Sequence, residues 1–313
     1  MGREDSESQG GARSDEEAAN GKTSGVPIQA NPQQLDLPVQ SPLYHAEQSD
    51  RYQRQALILD YERQFDCRLV AVVDQIFGWS VTFFEELIYD ANPNQDLHLL
   101  LDTPGGDGEI AVRLARAAQT RCRELTVVVP DKAKSAGTVL ALGAHRIIMG
   151  PTSDLGPVDP QFQIGDNTLA SAKDIIAAVD DAVVKVQTSP ETYPLFASLL
   201  SDLTGLMYQQ AKRALEHTDD LLRAAITSNP DRSPEVIEEM CNRLHGPLIQ
   251  DPQIHGAVFG GTEALSTGLP IELIDPSSDQ WQLIWRLWTK YFSILPARIY
   301  EGSRASKIIR FAG

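Results

Sequence analysis

Cysteine is scarce in this chain of 313 residues. Its three cysteines, Cys67, Cys122 and Cys241, are an odd and scattered set with no Cys-x-x-Cys spacing. That excludes a disulfide framework and a zinc site and points to a reducing compartment, with buried small hydrophobes as the simplest role for all three. No run of eighteen apolar residues occurs, so no membrane-spanning helix is expected. The first residues lack the basic start and apolar stretch of a signal peptide. Basic residues are too few: 27 Lys and Arg stand against 43 Asp and Glu, a net charge of −16 that argues against nucleic acid as a partner.

Much of the acidic excess is local. Residues 1–50 carry nine acids against three bases among many Ser, Gly, Gln and Asn. Such a composition cannot bury enough apolar surface to fold, so residues 1–44 read as a disordered acidic tail. Residues 45–280 read as one enzyme-sized domain and 281–313 as an aromatic and basic C-terminal helix with a tail.

Within the central domain, short apolar runs alternate with helical stripes. Arg68–Val73, Leu97–Leu101, Leu125–Val129 and a segment after His145 read as strands. Helices are expected over Thr82–Tyr89, with Phe83, Phe84, Leu87 and Ile88 inward, over Glu109–Thr120 and over Ala136–Ala144. The order predicts a mostly parallel sheet with crossover helices. Residues 163–200 read as an inserted stretch of helix and loop, and Leu203–Ile226 as one long helix.

Two strand-to-helix loops carry the chemistry. The first is Asp102-Thr103-Pro104-Gly105-Gly106; the second is Lys134-Ser135-Ala136-Gly137-Thr138. Pro104 stiffens the first loop, and Gly105 and Gly106 remove side chains that would keep a carbonyl away from backbone N–H groups. Ser135 stands where a helix begins, beside the free N–H of Ala136. Taken singly, Gly-Gly is an ordinary tight turn and Ser before a helix an ordinary N-cap.

Their order and interval resemble the ClpP/crotonase superfamily, and the string Leu155-Gly156-Pro157-Val158-Asp159-Pro160-Gln161 narrows the resemblance to the ClpP-like and SppA-like serine dehydrogenase proteinase family. The resemblance covers about residues 55–275 and is strongest over 100–161. It implies a spiral of repeated β-β-α units and a serine endopeptidase that hydrolyses peptide bonds through an acyl-enzyme, without metal or organic cofactor. Peptide or protein would be the substrate. It also implies a homo-oligomer, and the catalytic residues Ser135, Asp159 and His255. Ser135 would be the nucleophile, His255 the base and then acid, and Asp159 the group that orients the imidazole. ClpP peptidases have a histidine near the position of Asp159; here the histidine would come from Ile254-His255-Gly256, ahead of Glu263-Ala264 and Gly268-Leu269-Pro270. Gly106 and Ala136 would supply the oxyanion hole, with Pro104 and Gly105 shaping its loop.

Alternatives stay open at this level. A Ser-Lys dyad of the SppA type would draw its base from Lys173, Lys185 or Lys212. A non-catalytic scaffold would keep Ser135 as a helix cap, and an acyl-CoA enzyme of the crotonase type would share the oxyanion loops without needing the serine. His145 reads as a turn histidine at its helix end and His217 as a surface residue; Asp154 could replace Asp159 as the orienting carboxylate, its simpler use being a turn Asp bonded to its own backbone. Trp281, Trp285, Trp288 and Phe292 recur at helical spacing with Arg286 and Lys290 among them and Arg298, Arg304, Lys307 and Arg310 beyond. The stripe reads as a buried or subunit-contact helix with a solvated basic tail; the other reading is a peripheral membrane contact. A cytoplasmic setting is expected, with or without that contact.

Overall fold

Leu97–Leu101 is apolar on both sides of the pleat because both faces of its strand are covered, and the same holds for the other central strands. The structure is a computed structural model that describes residues 40–165, 168–251 and 257–311. The chain divides into two units at residue 45; of the first only residues 40–45 are described, and the sheet and its helices belong to the second.

After α1 (Pro42–Glu47) and α2 (Ser49–Phe65), strands and helices alternate: β1 (Cys67–Val73), α3 (Gly78–Ile88), β2 (Asp96–Asp102), α4 (Gly108–Gln119), β3 (Leu125–Val129), the short β4 (Lys132–Ala133), α5 (Ala136–Leu142), β5 (Arg146–Met149) and the short β6 (Asp154–Leu155). A hairpin comes next, β7 (Gln161–Ile164) and β8 (Thr168–Ser171), and then four helices, α6 (Ala172–Thr188), α7 (Tyr193–Leu199), α8 (Gly205–Thr227) and α9 (Pro234–His245). The chain continues through β9 (Phe259–Gly260), α10 (Gly261–Ser266), β10 (Ile271–Leu273), α11 (Asp279–Phe292), β11 (Ala297–Gly302) and β12 (Ser306–Arg310).

Seven strands form the main sheet in the order β10-β5-β3-β2-β1-β11-β12. The first five are parallel, and β11 and β12 add antiparallel pairs at one side. A small second sheet, β4-β6-β9, stands beyond the C-terminal ends of the parallel strands. The mixed α/β architecture with a mostly parallel sheet and crossover helices expected from the sequence is what is found.

Two cores lie on the two faces of the sheet. Val70, Val72, Leu97, Leu99, Leu101, Val127 and Val129 face helices α3, α4, α5, α8 and α9. Leu69, Ala71, Leu100, Val128 and Ile148 face α2 and α11. On this second face His98 is buried at hydrogen-bond distance from the Tyr61 hydroxyl (2.7 Å), which also accepts from Gln280. Burial pushes the His98 pKa down to about 4, so it packs as a neutral ring.

Three expectations need correction. Helix α3 begins four residues earlier than the pattern indicated, and Phe83 is only partly buried, packing against Tyr300. Residues 163–200, read as helix and loop, begin inside the β7–β8 hairpin. The supposed basic tail is mostly strand: β11 pairs with β1 and β12 with β11. Buried Glu301 on β11 receives a two-pronged bond from Arg54 of α2, at 2.7 and 3.2 Å, and a third from the Ser306 hydroxyl. In the aromatic stripe, Trp281 and Trp288 are buried in the second core, whereas Trp285 and Phe292 are exposed. Among the described residues no helix is long and apolar enough to cross a membrane.

Candidate active site

The two loops singled out in the sequence meet. After β2, the Thr103 N–H donates to Lys132 O (3.0 Å) and Thr103 O accepts from the Lys134 N–H (3.0 Å), which sets the two loops side by side. The Thr103 hydroxyl closes the turn by accepting from the Gly105 N–H at 3.1 Å. On its other side this turn is held by the β1–α3 connection: the Ile76 N–H donates to Gly105 O (2.9 Å) and the Asp107 N–H to Ile76 O (2.7 Å).

The glycines are required by these contacts. Gly106 has φ +142°, and a Cβ there would collide with the Ile76 carbonyl. Gly105 has φ +117°, and a Cβ there would stand 2.9 Å from Ser135 Cβ and 3.5 Å from its Oγ. The backbone of Gly105 therefore forms the wall opposite the serine.

Ser135 precedes α5 with φ +48° and ψ −111°, a conformation that L-residues rarely adopt. Its hydroxyl makes no capping bond, so the ordinary N-cap role does not describe it. The Gly137 N–H turns back to Lys134 O (2.7 Å) and the Val139 N–H to Ser135 O (3.0 Å). Among the described residues, the N–H groups of Gly106 and Ala136 have no acceptor within the protein. The first helical turn is pinned by Thr138, whose hydroxyl lies 2.8 Å from Ala133 O and 2.9 Å from Gly156 O and accepts from the Gly156 N–H at 3.0 Å.

Asp159 lies three residues beyond Gly156, buried at 4% exposure, and accepts from the Gln161 side chain at 3.2 Å. His255 lies outside the described residues. Ala257, two positions later, accepts at 3.0 Å from the ammonium of Lys134, the residue preceding Ser135. The same ammonium donates to Leu155 O and pairs with Asp154, whose carboxylate also accepts from the Phe259 N–H at 2.9 Å. Asp154 is thus a cross-link between β6 and β9, not a turn Asp serving its own backbone. Sequence reasoning missed the Lys134–Asp154 pair; the pairing of β4 with β6 is what brings them together.

The three lysines considered as bases lie on the helices beyond β8. Lys185 is exposed on α6. Lys173 reaches toward Gln250 O (3.5 Å). Lys212 on α8 stands over the Tyr208 ring, and its pKa is pushed up, chiefly by the Tyr208 side chain, the opposite of what a neutral lysine base requires. His145 accepts from the Leu125 N–H at Nδ1 (3.0 Å) and faces Asp231 with Nε2 (3.2 Å), the structural part expected of it. His217 is exposed on α8 beside Glu109 (2.8 Å).

Comparison with known proteins finds similarity over part of the chain. Residues 86–189 match the family described as ClpP-like SDH-type serine proteinase, and the resemblance read from the sequence holds there. Two uncharacterised proteins of Methanocaldococcus jannaschii are similar: one is 42% identical over 72 residues, 23% of this chain and 25% of that protein, and the other 38% over 66 residues, 21% and 23%. The matched segment spans about a quarter of the length of these curated relatives. Among solved structures, a membrane-bound stomatin-specific protease, 1510-N, is similar in two forms. A serine-to-alanine variant covers 34% of this chain and 57% of its own, with 24% identity and a TM-score of 0.28. A lysine-to-alanine variant in complex with a substrate peptide covers 77% and 86%, with 15% identity and a TM-score of 0.41. The similarity to ClpP-like serine proteinases is thus confined to residues 86–189, a span that holds both loops and Asp159.

Proposed function

We propose that this chain is a serine endopeptidase in which Ser135 attacks the scissile carbonyl, the N–H groups of Gly106 and Ala136 receive the oxyanion, and His255, oriented by Asp159, moves the protons. The observation that carries the reading is Ser135 itself: a buttressed, left-handed residue whose hydroxyl caps nothing and faces a glycine wall beside two uncommitted N–H donors.

A serine hydroxyl is a poor nucleophile at neutral pH, so a base must take its proton as the bond to the carbonyl carbon forms, an effect worth about 10²–10⁴ in rate. The base then gives that proton to the leaving amine as the peptide C–N bond breaks. Water, activated in the same way, hydrolyses the acyl-enzyme. Each oxyanion donor adds roughly 10²–10³. For His255 over a lysine, the support is that Ala257 is held by Lys134, next to the nucleophile, whereas Lys185 is exposed and the pKa of Lys212 is raised. Self-association and a cytoplasmic setting belong to the same proposal.

The test is covalent labelling by a fluorophosphonate, comparing wild type with Ser135→Ala, His255→Ala, Lys173→Ala, Lys185→Ala and Lys212→Ala. Labelling should vanish in the first two variants and survive in the lysine variants. Loss in one lysine variant with survival in His255→Ala would move the base to that lysine. Absence of labelling in folded wild type would favour the scaffold reading. Light scattering at working concentrations tests self-association; a strictly monomeric mass would remove it.

A further inference from the structure

The loop that carries Gly105 and Gly106 has a second side. Pro104, immediately before them, lines a cavity of about 430 Å³ outside the C-terminal ends of β1 and β2, where open α/β sheets bind their ligands. One peptide unit of this loop therefore separates the cavity from the wall facing Ser135.

Four charged side chains reach this cavity, and three are already committed. Asp74 accepts from the Gln75 N–H (2.8 Å), the Trp79 indole (3.0 Å) and the Tyr300 hydroxyl (2.8 Å), and lies 3.5 Å from the Arg298 guanidinium. Arg298 is held between the rings of Trp79 and Phe311, at 4.2 and 5.2 Å. Lys132 stands partly in solvent with Asp131 at 3.9 Å.

Asp102 is the exception. It is 6% exposed, and among the described residues its carboxylate receives one hydrogen bond, from the Lys132 N–H at 3.3 Å. Burial and nearby Asp131 push its pKa up to about 6 against the opposing pull of the Lys132 N–H and ammonium, so the buried acid is only partly compensated. The cavity walls beside it are apolar: Val73, Pro104, Leu295 and Phe311. An apolar sleeve ending at an under-bonded buried carboxylate is the complement of a methylene stem ending in a cation.

We propose that this cavity is a substrate subsite that takes a lysine or arginine side chain flanking the scissile bond, with Asp102 as its counter-charge. The proposal rests on the peptidase reading and deepens it, since the cavity lining and the oxyanion loop share Pro104. It would give a chain of strongly negative net charge a preference for basic segments of its protein substrates.

The experiment uses the full chain and internally quenched peptides carrying arginine, lysine or norleucine at each of the two positions on either side of the cleaved bond. Each preparation is first titrated with the fluorophosphonate, so that rates refer to reactive Ser135. A basic residue at one of these positions should raise kcat/KM at least tenfold over norleucine in wild type, and the ratio should fall to near one in Asp102→Asn. Should Asp102→Asn not fold, butylguanidinium and the uncharged butylurea with wild type replace it: the cation should inhibit cleavage of the arginine peptide saturably and competitively, and the urea of the same shape at least tenfold more weakly. Fluorophosphonate labelling without any basic preference, a preference that Asp102→Asn retains, or equal inhibition by the cation and the urea would overturn the subsite while leaving the peptidase standing. Absence of labelling in wild type would overturn both.

Discussion

Ser135 should be a residue that the fold tolerates at a cost, and that cost can be isolated by comparing Ser135→Gly with Ser135→Ala. Both substitutions remove the hydroxyl, so any interaction it makes cancels in the difference. What remains is the Cβ at φ +48°, ψ −111°. Holding an L-residue in so sparsely populated a region costs about 1–3 kcal/mol, which glycine escapes. Glycine in turn loses roughly 0.5–1 kcal/mol through its greater freedom in the unfolded chain. The Gly variant should therefore be more stable than the Ala variant by up to about 2.5 kcal/mol, a rise in midpoint temperature of up to about 10 °C for a domain of this size. Equilibrium unfolding in urea at matched protein concentration measures it, provided the slopes agree. Neither variant should react with a fluorophosphonate. A Gly variant no more stable than the Ala variant would refute the reasoning, because the strain would then not be present at the serine.

Other consequences can be checked in the same assays. Gly106→Ala must move the Ile76 carbonyl or abandon φ +142°; a loss of about 2–4 kcal/mol is expected, as for other overpacked and strained sites, together with slower Ser135 labelling. His145→Ala leaves the buried Leu125 N–H without its acceptor and should lower stability by about 1–3 kcal/mol while Ser135 still labels, which separates a structural histidine from a catalytic one. Asp102 titrates higher in the folded chain, at about 6 against an ordinary 3.8, so the native state binds this proton more tightly than the unfolded state. Its charge is therefore destabilising above about pH 6, by roughly 3 kcal/mol at 1.36 kcal/mol per pH unit, and that penalty fades as the pH falls toward 4. Asp102→Asn should accordingly be more stable than wild type at pH 7.5, with the gap closing toward pH 4; a gap that does not change with pH would count against it.

The strands and both loops could be read from the residues because their causes are local. A strand covered on both faces is apolar at most positions, and that pattern needs no knowledge of its neighbours. Gly105, Gly106 and Ser135 stood out because the order and interval of their loops resemble those of a known superfamily, and the helix between the loops through its stripe. Helix boundaries and the burial of Phe83 were less legible, because the position of a cap or the coverage by Tyr300 depends on packing.

What could not be read arises from pairs distant in the chain. Nothing local couples Lys134 to Asp154 and Ala257, or Arg54 to Glu301; strand pairing brings them together. β12, Ser306–Arg310, is an edge strand, and the charges that protect an edge also make it look like a solvated tail. Gly106 owes its necessity to the Ile76 carbonyl, thirty positions earlier. Asp102 reads in the sequence as the first residue of a loop, and only the approach of Leu295, Arg298 and Phe311 turns it into a buried acid beside a cavity. Local pattern thus decided which segments form strands, helices and reactive loops, because backbone conformation and amphipathicity act over a few residues. Tertiary packing decided how those loops are buttressed, which charges are paired and which acid is left facing open space, because desolvation and long-range pairing exist only once the chain has closed on itself.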